Sequence, residues 1–188
     1  MKLVLAVLAS AVAVFGHGVV TSPTPRTLGP AAQVACGDAV YKVLKSDKAG
    51  PIENAEKKID STYNAEACHL FFCRGNQFDD NKSNVKFYAA GTEVAFHIDL
   101  IAHHTGYANV SIVNLITQTA VGAPLKIWPV YANDSLGPKD WPPDETDFAV
   151  TIPQLNGACE TAGQCAIMWW WYGYNKQTYE SCVDFTSN

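Results

Sequence analysis

Thr92-Glu93-Val94-Ala95-Phe96-His97-Ile98-Asp99-Leu100 is the stretch on which the fold turns. Val94, Phe96, Ile98 and Leu100 alternate with Glu93, Ala95, His97 and Asp99, a period of two that predicts a strand with one buried face. Moving toward the C-terminus, Val110 and Ile112 alternate with Asn109 and Ser111, and residues 125–131 form a further candidate strand. Phe148, Val150 and Ile152 alternate with Ala149 and Thr151 and stop at Pro153. Residues 166–172 (AIMWWWY) are apolar on both faces, as a central strand would be, and 178–185 close the chain. Toward the N-terminus, 18–21 read as a short first strand ended by Ser22-Pro23-Thr24-Pro25, which cannot continue a ladder. Several short strands punctuated by Gly, Pro, Asn and Asp predict an all-β, antiparallel β-sandwich. Periodicity is weak over 27–84, where brief helices are expected at 53–58 and 65–72. Cys36, Cys68 and Cys73 fall in this stretch, which therefore reads as a long functional loop pinned by disulfides. No internal repeat, heptad or low-complexity tract is present.

Residues 3–15 (LVLAVLASAVAVF) follow a single positive charge at Lys2, and the run is too short for a membrane span. It matches the core of a secretory signal peptide. The expected organisation is a leader at 1–16 and a single domain at 17–188, released with His17 as its first residue. The chain carries a formal charge of −5, one unit more negative once Lys2 leaves, and has no basic run. That balance argues against nucleic acid or anionic membranes as partners. A soluble, extracellular, monomeric protein is expected. Six cysteines suit an oxidising compartment and a disulfide framework, and Cys159 and Cys165 bracket a turn short enough to close locally. Asn81, Asn109 and Asn133 begin sequons usable in a eukaryotic secretory pathway.

A histidine at the head of a processed chain carries a free α-amine beside its imidazole, so His17 alone can chelate a metal through two nitrogens. Four further histidines could supply a third: His69, His97, His103 and His104. His69 lies between Cys68 and Cys73 and suits packing or a hydrogen bond, and His97 falls on the polar face of its strand. His103 and His104 sit where a strand breaks into Thr105-Gly106, a rigid place from which to aim a ligand. Neighbouring residues in an extended chain point opposite ways, so one of the two is expected to serve. On the last strand Gln177 and Tyr179 share a face and present an amide and a phenol together.

The chain resembles the lytic polysaccharide monooxygenases, most closely auxiliary activity family sixteen, a fungal type active on cellulose. The stretches that carry the likeness are residues 17–26 (HGVVTSPTPR), 35–37 (ACG), 104–106 (HTG), 108–111 (ANVS), 169–171 (WWW) and 177–185 (QTYESCVDF). They span nearly the whole chain after the leader. The resemblance implies an immunoglobulin- or fibronectin-III-like sandwich with long disulfide-pinned loops and short helices. It implies one copper ion in a histidine brace made by His17, through amine and ring, and His104, with Tyr179 axial and Gln177 hydrogen-bonding beside it. His103 is then extra. It also implies hydrogen peroxide or dioxygen as co-substrate, an external electron donor, and a cellulose surface as partner, with oxidation at C1 giving aldonic acids. Tyr41 and Tyr63 are candidate sugar-contacting aromatics by location. The implied bridges are Cys73–Cys182, Cys159–Cys165 and Cys36–Cys68. Three nitrogens suit copper, whereas zinc favours a tetrahedral set and no His-Glu-x-x-His helix is present.

Two other functions fit parts of the pattern. One is a secreted copper binder without catalysis, in which a carboxylate would close the coordination position. The other is a glycoside hydrolase using Asp144, Glu145 or Asp147, whose chemistry needs two carboxyl groups at a set separation.

Overall fold

The computed structural model describes residues 16–188, so the body of the expected leader lies outside the described residues. The elements run β1 (His17–Ser22), α1 (Pro30–Ser46), α2 (Glu53–Glu56), α3 (Ala65–Cys68), β2 (Lys86–Phe87), β3 (Glu93–Ala102), β4 (Gly106–Asn114), β5 (Thr119–Ala120), β6 (Lys126–Tyr131), β7 (Asp147–Thr151), β8 (Cys165–Gly173) and β9 (Gln177–Thr186). One sheet has the order β1-β3-β7; the other has the order β2-β9-β8-β4-β5, with β6 also paired to β4. This is the expected immunoglobulin/fibronectin-III-like sandwich.

The alternation in β3 does what its period implies. Val94, Phe96 and Ile98 are buried while Glu93, Ala95 and His97 face solvent. They meet Val110, Ile112, Ile167, Trp169, Trp171, Tyr179 and Val183 from the other sheet in one core. Strand β8 is central, hydrogen-bonded along its whole length to β4 on one side and β9 on the other.

Strand β9 is buried on both faces although it carries Glu180 and Asp184. Its second face is covered by the segment that runs from Arg26 to residue 84, and each buried charge meets a partner there. Arg26 grips Asp184 through Nε and Nη2, both at 2.7 Å. The Arg74 main-chain N–H donates to Glu180 Oε2 at 3.0 Å.

The 27–84 segment differs from its sequence reading. It contains a 17-residue helix, α1, broken only at Gly37 (φ 76°), whose Ala32, Ala35, Cys36, Val40 and Leu44 are buried. The reason it escaped local pattern is its start. Gly29 makes no side-chain cap; Asp80, far along the chain, instead accepts from Ala31 N–H and Ala32 N–H at 2.9 Å each. With α2, α3 and Leu70 it forms a small second core. The bridges are Cys36–Cys68, Cys73–Cys182 and Cys159–Cys165, the set the resemblance implied.

Of the sequons, Asn81 is buried, its amide donating to Thr27 O and Gln77 O and its Oδ1 accepting from Thr27 N–H. A glycan has no room there in the folded chain. Asn109 and Asn133 are half-buried. No helix among the described residues is long and apolar enough to cross a membrane.

Candidate metal centre

The site forms where the head of β1 meets the ends of β3, β8 and β9. His17 opens β1 opposite Ala102, the last residue of β3, with a register shift before Gly18 meets Leu100. His104 lies in the short link between β3 and β4. Its Nδ1 is buried and has no hydrogen-bond partner. Buried ring nitrogens are normally paired, so an orphaned one is a vacancy for a donor or an electrophile.

Packing ties these groups together. A Cβ built on Gly16 would lie 2.8 Å from His104 Cβ, 2.8 Å from Tyr179 Oη and 2.7 Å from Trp171 Cη2. The residue before His17 is therefore wedged against both His104 and Tyr179, and glycine alone fits. Gly173, at the other side of His104, is equally close: its added Cβ would stand 2.8 Å from His104 Cδ2.

Tyr179 is fully buried, stacked on Trp171 at 4.1 Å between ring centroids. Burial, and then the charges of Glu53 and Asp47, push its phenol well above the ordinary tyrosine range, so it keeps its proton. That hydroxyl lies 2.8 Å from Gly16 O and 2.8 Å from Gln177 Oε1. One proton serves one acceptor at a time. Where Gln177 Oε1 accepts that proton, the Gln177 amide NH2 remains as a donor pair.

The structure separates the two adjacent histidines. His103 stacks on Trp141, with ring centroids 3.7 Å apart, and burial lowers its pKa. His69 is hydrogen-bonded by Gln118, and His97 by Asp147 at 2.6 Å. Tyr41 lies under the Lys45 ammonium and Tyr63 packs against the helical core. The three hydrolase candidates diverge: Asp144 pairs with Lys126, Asp147 with His97, and Glu145 is buried.

Two features had no signal in the sequence. Asp47, just past α1, places Oδ2 3.0 Å from His17 Nε2. Arg74 holds the same loop by donating to Asp47 O and Gly50 O. Both are loop contacts between residues far apart in the chain, which periodicity does not register.

Among the described residues no three His, Cys, Asp or Glu side chains cluster as a metal cage. A brace needs only two imidazoles, because its third nitrogen is an α-amine, which in the unprocessed chain is the Gly16–His17 peptide. The orphaned ring nitrogen of His104 and the adjoining His17 fit a nitrogen-seeking metal on those terms.

The fold is a β-sandwich with a histidine at the head of its first strand, and sequence comparison gives the family. The chain belongs to the lytic polysaccharide mono-oxygenase family described as cellulose-degrading, whose model matches residues 17–185. No curated protein matches. Among solved structures, a chitin-binding domain from Burkholderia pseudomallei aligns at 16% identity and TM-score 0.47, covering 92% of this chain and 100% of that one. A cellulose-active lytic polysaccharide monooxygenase solved in complex with copper aligns at 13% identity and TM-score 0.43, covering 90% and 98%. The matched family model is the broad one and does not carry the narrower likeness to auxiliary activity family sixteen.

Proposed function

We propose that this protein is secreted, released by cleavage after Gly16, and acts as a copper-dependent monooxygenase that cleaves cellulose oxidatively. His17 would hold the metal through its α-amine and ring, His104 through one ring nitrogen, and Tyr179 would stand beside it. The observation that carries the reading is the wedge at Gly16. The chain immediately before His17 is packed on His104 and Tyr179, so its removal leaves a new amine, an unpaired imidazole nitrogen and a phenol around one small space. The family match beginning at His17 supports the same boundary.

Copper bound there would supply one-electron redox chemistry with hydrogen peroxide or dioxygen as co-substrate and an external electron donor. The chain's own part is to hold the ring of His17, keep the Tyr179 phenol protonated, and aim the Gln177 amide as a donor toward a polar co-substrate. Oxidation at C1, with aldonic-acid products, and membership of auxiliary activity family sixteen belong to this proposal and rest on the motif stretches quoted above. So do the monomeric state and the cellulose surface as partner. Tyr179 would hold the position beside the metal, which favours an enzyme over a non-catalytic copper binder whose carboxylate would close that position.

The test is copper loading of the processed protein, then product analysis on cellulose with a reductant. Oxidised oligosaccharides are expected. Tight copper without products would assign the non-catalytic binder, and metal-independent reducing sugars would assign a hydrolase.

A further inference from the structure

We propose that Asp47 is a positioning residue for the copper site, fixing the ring of His17 through Nε2 and setting the electron richness of its other nitrogen. The inference rests on the copper reading above and names a residue outside the implied ligand set.

Asp47 Oδ2 stands 3.0 Å from His17 Nε2. A carboxylate only accepts, so Nε2 carries the ring proton and Nδ1 carries the lone pair. Within one histidine, Nδ1 is the ring nitrogen close enough to share a metal with that residue's own α-amine. The Asp47 contact thus selects the tautomer that chelation requires. A carboxylate behind a ligating imidazole also raises its basicity, a role such partners commonly have around metals.

The carboxylate is placed by a braced loop. Asp47 ends α1 with its N–H donating to Val43 O. Arg74, buried, donates from Nη2 to Asp47 O at 2.7 Å and to Gly50 O at 2.9 Å. Gly18 N–H donates to Ala49 O at 3.0 Å, which ties the loop to the strand that carries His17. Just beyond, Ile52 N–H donates to Thr178 O and Glu53 Oε2 accepts from Thr178 N–H, so the segment also runs along the head of β9. Gly50 is part of the fit, since a Cβ there would overlap Asp47 Oδ2.

Magnitude separates this role from a structural one. The side chains of His17 and Asp47 are 30% and 40% exposed, so solvent screens the pair and it contributes little to stability. Three main-chain hydrogen bonds and two from Arg74 are more than so weak an ion pair needs. They suit a carboxylate whose position matters to something else.

The experiment uses the secreted, processed protein and its variants Asp47→Asn, Asp47→Ala and Gly50→Ala, with Asp147→Asn as a control. That control removes the carboxylate of the remote His97–Asp147 pair. Copper affinity by competition titration, the Cu(II)/Cu(I) midpoint potential and the melting temperature without metal are measured. Asp47→Ala and Gly50→Ala are expected to lose about 10- to 100-fold in copper affinity. Asp47→Asn, which keeps an acceptor but no charge, is expected to raise the midpoint potential with a smaller loss. Metal-free melting and the control should change little. A wild type that binds copper tightly alongside variants of unchanged affinity and potential overturns this inference alone. A wild type that binds no copper overturns the functional reading beneath it.

Discussion

Single residues decide what the site can become. The Tyr179 hydroxyl reaches both Gly16 O and Gln177 Oε1, and Gly16 fits only because it lacks a side chain. Retaining Gly16 ahead of His17 should therefore leave the metal-free protein folded and nearly as stable as the processed one. It converts the amine into an amide, a poor neutral donor. Copper affinity is expected to fall by orders of magnitude and oxidative cleavage to vanish; tight copper binding in the Gly16-retaining form would sink the brace. Away from the site, Glu145 is buried with Oε2 unpaired, and burial, then Asp144, raises its pKa despite the Ala132 N–H. A carboxyl raised on folding binds its proton more tightly in the native state. Its contribution to stability is complete below the unfolded carboxyl pKa and is lost as pH rises through the folded one. Glu145→Gln should remove that part of the pH dependence and gain about 1 kcal/mol at neutral pH. Melting curves of both proteins from pH 4 to pH 8 would show it, and parallel curves would refute it.

At the scale of elements, the unusual member is β9, a fully buried strand that presents acidic residues to a helical layer. Its Asp184 and Arg26 form a two-pronged pair with side chains 1% and 6% exposed. Removing one partner strands the other charge, which costs about 3–5 kcal/mol. Arg26→Met and Asp184→Asn should each destabilise by that order, whereas the double variant should recover much of the loss. A double-mutant cycle in denaturant gives the coupling; additive losses would mean that the pair does not hold the layer. The helix on that layer shows why local reading failed there. Period two is printed along β3, but α1 follows a glycine that makes no side-chain cap and takes its cap from Asp80, so Pro30 is the one start signal beside it.

Across the whole molecule, the Cys73–Cys182 bridge ties the irregular N-terminal half to β9 over a separation of 109 residues. Cys73 adjoins Arg74, whose N–H donates to Glu180 and whose guanidinium donates to Asp47 O, so the bridge backs the loop that carries Asp47. Replacing both cysteines by alanine should destabilise the metal-free protein by about 2–5 kcal/mol. Chemical denaturation would measure this, and a loss below about 1 kcal/mol would show that the β9 salt bridge suffices to hold the layer.

The sandwich was legible in the chain because its signals are local: alternation in β3 and β7, the two-faced apolar run of β8, and Gly or Pro between strands. The even cysteine count and a histidine after a leader-like run were legible for the same reason. The residues alone left His103 and His104 open, since adjacency says only that they diverge. Tertiary structure set His103 on Trp141 and left His104 against the residue before His17. It also placed Asp47 on His17 Nε2, capped α1 with Asp80, and sent Asp144, Glu145 and Asp147 to different surroundings. Each of these joins residues through space, across a chain path that pattern along the sequence does not encode. Strand periodicity follows from a residue and its neighbours, whereas a cap, a tautomer or a buried ring nitrogen follows from what folding brings against it.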